Sequence, residues 1–102
     1  MDNELDLISF NIIANSGDAR SFAFGALEAA KAGNFEEADE LLKKSEAAAT
    51  IAHKAQTELL FKEANGEKNE VNVLLVHSQD HLMTSMLAQE LIKEIILLYK
   101  NR

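Results

Sequence analysis

Apolar residues recur along this chain at intervals of three and four, the spacing that lines one face of a helix rather than one face of a strand. In the middle third, Ala38, Leu42, Ser45, Ala49, Ala52, Gln56 and Leu59 follow a period close to 3.5, diluted only by Ser45 and Gln56. The last third carries Leu74, Leu75, Leu82, Met83, Met86, Leu87, Leu91, Ile92, Ile95, Ile96 and Leu98, and is apolar on more than one face. Two polar breaks divide the pattern. At Gly33-Asn34 the glycine suits a left-handed C′ position, and Asn34 with Glu37 predicts a capping box. Asn65-Gly66-Glu67-Lys68-Asn69 is a polar loop. The pattern predicts three helices, over roughly 3–32, 35–64 and 70–101.

The first helix is the least regular. Asn15-Ser16-Gly17-Asp18 reads locally as a stop and restart, and Gly17 and Gly25 each cost ~1 kcal/mol relative to Ala in a helix interior. Apolar residues continue on both sides, so one long helix, with a kink allowed, is expected. The small residues from Ser16 to Ala32 permit a close neighbour, and Phe22, Phe24 and Leu27 favour packed helix over a low-complexity tract.

Helices of about 30 residues are about 45 Å long. Three of them in 102 residues make a single all-α domain spanning 1–102, a thin three-helix antiparallel bundle. Such a bundle cannot bury every apolar face of the third helix. The excess implies a homo-oligomer built on that helix.

Composition narrows the function. The chain has no Pro, Cys or Trp, which removes disulfides and thiolate chemistry and permits the cytosol. Its formal net charge of −7 opposes nucleic-acid binding and attraction to anionic membrane surfaces. The longest nearly apolar run, Glu94 to Tyr99, is too short to span a bilayer. The acidic start Met1-Asp2-Asn3-Glu4 does not read as a secretory signal. A soluble cytoplasmic protein is expected.

Against this background, His77, Asp80, His81 and Thr84 share one stripe of the third helix. Val73 extends the stripe backward, and Ala88, Leu91 and Ile95 extend it forward, while Gln79 points to the opposite side. The cluster therefore interrupts a face expected to be packed, at or near subunit contacts. Buried ionisable groups must be paired, metal-bound or functional. Three readings follow. The histidines are core residues partnered by Asp80; or His77 and His81, spaced i and i+4, bind a metal; or one histidine is a nucleophile. The zinc-protease motif is incomplete, since Ser78 stands where its glutamate belongs. A di-iron site needs Glu-x-x-His pairs, and Glu46 and Glu58 are not so spaced. For a nucleophile, one ring nitrogen attacks while an acceptor, which a neighbouring helix could supply, holds the other. The chain has no glycine-rich phosphate loop, so a phosphoryl group would arrive from another protein. His53, beside Ile51 and Lys54, reads as an exposed or packing histidine.

The stretch Leu75-Val76-His77-Ser78-Gln79-Asp80-His81-Leu82-Met83-Thr84-Ser85-Met86 resembles the signature of the lactose/cellobiose-type enzyme IIA of the bacterial phosphoenolpyruvate-dependent sugar phosphotransferase system. Ile12-Ile13-Ala14-Asn15-Ser16-Gly17-Asp18-Ala19-Arg20-Ser21 resembles the family's first helix, and Gly33-Asn34-Phe35 with Ala38 its second-helix start. The resemblance covers essentially the whole chain. It implies a homotrimeric nine-helix bundle with the third helices along the threefold axis. It implies that His77 carries the phosphoryl group, taken from the phosphohistidine carrier protein and passed to a cysteine of a sugar-specific IIB component. It implies further that Asp80 and its symmetry mates hold one metal ion per trimer, most plausibly Mg²⁺. His81 would orient His77 or stabilise phosphate charge; Thr84, and Gln79 if a neighbouring subunit brings it close, would supply hydrogen bonds. Ser78 departs from the alanine expected most often there. The competing class is a non-enzymatic helical-bundle adaptor with a structural His/Asp metal site. The sugar served, whether lactose, cellobiose or chitobiose, is not legible.

Overall fold

The structure is a computed structural model and describes residues 3–102. Three helices make it up: α1 (Asn3–Lys31), α2 (Phe35–Ala64) and α3 (Val73–Lys100), with no strand among the described residues. The molecule measures 51 × 20 × 18 Å. Its length follows from α1 and α2, of 29 and 30 residues at 1.5 Å rise each.

Interhelical pairs show the antiparallel order. Lys62 near the end of α2 pairs with Glu4 at the start of α1, and Ser45 bonds Ala19 at mid-length. Between α2 and α3, Lys100 pairs with Asp39 at 2.9 Å, Lys93 with Glu46, and Gln56 with Gln79. The helices pack unequally: α1 runs along both neighbours, while α2 and α3 touch each other far less.

Each helix buries one heptad seam. On α1 it is Leu5, Ser9, Ile12, Ser16, Ala19, Ala23, Ala26 and Ala30. On α2 it is Ala38, Ser45, Ala48, Ala52, Ala55 and Leu59, and on α3 Ser78, Leu82, Ser85, Gln89, Ile92 and Ile96. The α1 seam is mostly Ala and Ser, which brings helix axes close. The α2 seam keeps the predicted Ala38, Ser45, Ala52 and Leu59, but between them Ala48 and Ala55 are buried while Leu42, Ala49 and Gln56 are half-buried. The cause is the unequal packing, since α2 centres its apolar stripe on α1 rather than between two equal partners. Ser45, which looked like a dilution of the pattern, is a junction. Its hydroxyl donates to the Ala19 carbonyl at 2.6 Å and accepts from Gln89 Nε2 at 3.0 Å, joining all three helices in the core.

α1 passes through Asn15-Ser16-Gly17-Asp18 without a break, held by the seam on either side. It ends in a Schellman turn: Gly33 has φ +83°, its N–H bonds Ala30 at 3.0 Å, and the Asn34 N–H bonds Ala29 at 2.8 Å. The predicted capping box does not form. Asn34 (φ −91°, ψ 71°) makes no side-chain cap bond to α2, because its backbone is committed to closing α1. Gly66 closes α2 in the same way, with Glu67 N–H bonded to Lys62 at 3.0 Å. α3 begins at Val73, three residues later than expected. Asn72 is extended and its side chain accepts from the Leu75 N–H at 2.8 Å, which fixes the start.

One face of α3 has no partner among the described residues. Val73, Val76, Met83, Leu87, Leu91 and Leu98 are all exposed, from 53% to 85%. The polar stripe expected to interrupt a packed face therefore lies on the open side of α3, because the seam through Ser78, Leu82 and Ser85 is the one turned toward the bundle.

A histidine pair on the open side of the third helix

Ser78 orients the site. It is fully buried in the α3 seam, and its hydroxyl donates to the Leu75 carbonyl at 2.6 Å. At 100° per residue, a buried position 78 sends Gln79 to one flank, His77 to the other, and Asp80 nearly opposite the core. Gln79 accordingly reaches α2, where its Oε1 accepts from Gln56 Nε2 at 2.7 Å. This bond ties the thinly packed α2–α3 seam. It also holds Gln79 on the flank away from His77, the side the sequence pattern assigns it.

His77 and Asp80 are both open to solvent, with side chains 56% and 62% exposed. His77 Nδ1 lies 3.4 Å from Asp80 Oδ1. The acceptor that a neighbouring helix could have supplied is on α3 itself, one turn on. A neutral imidazole with its proton on Nδ1, facing the carboxylate, keeps its Nε2 lone pair free. His81 is half-buried. Its ring centre is 5.5 Å from that of His77 and the planes are tilted by 30°. Thr84, expected to donate to a phosphoryl group, directs its hydroxyl to the Asp80 carbonyl at 2.8 Å, with a longer contact to His81 O at 3.4 Å. Its single proton is used by the helix backbone.

An open hollow beside the pair is lined by Val71, Asn72, Val73, Val76, His77 and Asp80. His53 is exposed on α2, in a separate groove with Glu46, Thr50 and Met86, as expected for a histidine outside the site. Among the described residues, no three His, Cys, Asp or Glu side chains converge as metal ligands. Asp80 offers one carboxylate per chain, so a cation there needs oxygens from further copies.

Fold and site together define an all-α class: a three-helix chain presenting an exposed imidazole 3.4 Å from a carboxylate, beside an exposed apolar stripe. The chain belongs to the lactose/cellobiose-specific IIA subunit family of the phosphotransferase system, whose family model matches residues 7–100. It is 50% identical over 98 residues to the lactose-specific EIIA component of Streptococcus mutans, covering 96% of this chain and 94% of that protein. The crystal structure of the cellobiose-specific enzyme IIA from Bacillus anthracis superposes with a TM-score of 0.95 at 50% identity, covering 99% of this chain and 93% of the other. The IIA(chitobiose) of the Escherichia coli N,N'-diacetylchitobiose branch, solved in complex with HPr, matches at 0.83 and 45% identity over 98% and 97% of the two chains. The chain is therefore a sugar-specific IIA component, a phosphotransferase subunit. No helix among the described residues is long and apolar enough to cross a membrane.

Proposed function

We propose that His77 is the phosphoryl carrier. Its Nε2 attacks the phosphorus of a phosphohistidine donor in line, so a P–N bond forms at His77 as the donor's P–N bond breaks. The group then passes to a cysteine thiolate of a sugar-specific IIB component, with a P–S bond formed and His77 released. The observation that carries this reading is the pairing of Nδ1 with Asp80, which leaves Nε2 free on an exposed ring. Asp80 keeps the reactive tautomer and faces the positive charge of the phosphorylated ring. Catalysis is otherwise positioning, because in-line transfer asks little else of the protein. The HPr complex of the E. coli relative supports HPr as donor. The exchange places the protein in the cytoplasm.

The exposed apolar stripe of α3 supports a homotrimer in which α3 lines the axis. Asp80 is the single charge among Val76, Met83 and Leu87 on that stripe. Three copies meeting there would repel unless a hard cation lies between them, and the all-oxygen donor set suits one Mg²⁺. One Asp80 oxygen facing His77 leaves the other for the ion. Such an ion would neutralise the converged carboxylates.

The test is incubation with phosphoenolpyruvate, enzyme I and HPr. Phosphate that is acid-labile and base-stable, and that moves to a IIB cysteine, is expected. An adaptor with a structural His/Asp cluster would take up none.

A further inference from the structure

Gly17 lies mid-way along α1 with no backbone reason to be glycine. Among the described residues only Gly33 and Gly66 have positive φ, and glycine inside a helix costs about 1 kcal/mol relative to alanine. What sets position 17 apart is its neighbour. Outside its own helix, the one heavy atom within 4 Å of a Cβ at position 17 is His81 Nε2, at 3.4 Å. Gly25, the other helical glycine, meets instead Leu41 Cδ1 at 3.5 Å, an ordinary packing contact. A methyl added at Gly17 would thus just touch the His81 ring.

This contact joins α1 to the site. His81 is held between Gly17 on one side and the His77 ring, 5.5 Å away, on the other. We propose that Gly17 is a positioning residue that acts through His81, seating that imidazole against α1 so that it stands beside His77 during phosphoryl transfer. The inference rests on the reading of His77 as acceptor. A methyl at position 17 reaches contact distance and covers Nε2, whereas a branched side chain must displace the ring.

The experiment measures phosphorylation by phospho-HPr and the imidazole ¹H–¹⁵N spectrum of the unphosphorylated protein. It uses Gly17→Ala, Gly17→Val and Gly25→Ala, each in wild type and with His81→Ala. Gly17→Val is expected to slow phosphoryl acceptance roughly tenfold or more, as for a ring misplaced by the order of an ångström, and to shift both imidazoles. In the His81→Ala background the same substitution should add less than about twofold, the signature of coupled residues. Gly17→Ala should move the His81 signals, and Gly25→Ala should move neither ring. If Gly17→Val lowers helicity, Gly17→Ala carries the same cycle. Unchanged imidazole spectra with Gly17→Ala, or a Gly17 effect that persists in full without His81, overturns the proposal. A wild-type protein that accepts no phosphate refutes the carrier reading instead, and the spectra still decide whether Gly17 seats His81.

Discussion

His77 and Asp80 face each other across one turn of α3, Nδ1 to Oδ1 at 3.4 Å, with no other helix needed to make the pair. The orientation is set from beneath by buried Ser78 and from the side by Gln79, which is held to Gln56. The His77 ring is thus aimed by the same residues that lock α3 onto the bundle. Removing the imidazole should leave the fold alone, because the ring packs against solvent. His77→Ala is expected to abolish phosphoryl acceptance, a loss of at least about three orders of magnitude for a missing nucleophile, with helicity unchanged. His53→Ala should retain wild-type rates. Phosphorylation of the His77→Ala protein at wild-type level would refute the assignment.

Ser45 is a different kind of polar residue, fully buried and bonded to both other helices. Ser45→Ala removes the donor to the Ala19 carbonyl and strands the Gln89 amide in the core. The expected cost is about 1–3 kcal/mol, the penalty for buried polar groups left unpaired. It is read as a lower denaturant midpoint at unchanged slope. Ser45→Ala and Gln89→Leu together should recover part of the loss, since the stranded amide is then gone. A single mutant as stable as wild type would show that the junction contributes nothing.

The helical periodicity, the two glycine turns and the surplus of apolar surface on α3 were all legible in the sequence, because each is a local pattern. The His77, Asp80 and His81 stripe was legible for the same reason. Its environment was not. Whether a helical stripe faces the core or the outside depends on which of two apolar faces the bundle chooses, and α3 has two. Seams rich in small residues decide it, since α1 presents Ala and Ser and draws the Ser78–Leu82–Ser85 face of α3 against them. The capping box at Asn34 failed because a turn has one backbone conformation to give, and the Schellman closure took it. Thr84 and Gln79 have hydrogen-bonding side chains that fit many roles on paper, and the structure spends them on the backbone and on α2.

The unpartnered stripe gives a prediction about assembly. Val73, Val76, Met83, Leu87, Leu91 and Leu98 are too much aligned apolar surface for a free monomer. Light scattering at micromolar concentration should give about three times the 11.3 kDa chain mass. Leu87→Glu, at a side chain 56% exposed within the chain, should leave each subunit helical but shift the mass toward the monomer. A monodisperse wild-type monomer would remove the trimer from the proposal.

Asp80 has two proposed duties that a single substitution separates. As the partner of His77 Nδ1 it steers the nucleophile, and as one of three carboxylates on the axis it holds a cation. If the ion is present, chelation leaves like charges facing one another in a poorly solvated space. The wild-type trimer should then weaken by several kcal/mol at neutral pH, seen as a lower melting temperature. Asp80→Leu removes the charge and the need for metal together. Its trimer should be insensitive to chelator and at least as stable as wild type, because replacing converged charges with packed hydrophobes is often stabilising. The same variant should accept phosphate more slowly, since His77 loses the group facing Nδ1. Asp80→Asn keeps a carbonyl oxygen for that nitrogen and should fall between the two in rate. The decisive comparison is thermal melting with and without chelator, alongside phosphorylation rates, for wild type and both variants. A wild-type melt that does not move after verified metal removal would take the cation out of the proposal. A slowed Asp80→Leu would then leave Asp80 with the histidine as its sole charge.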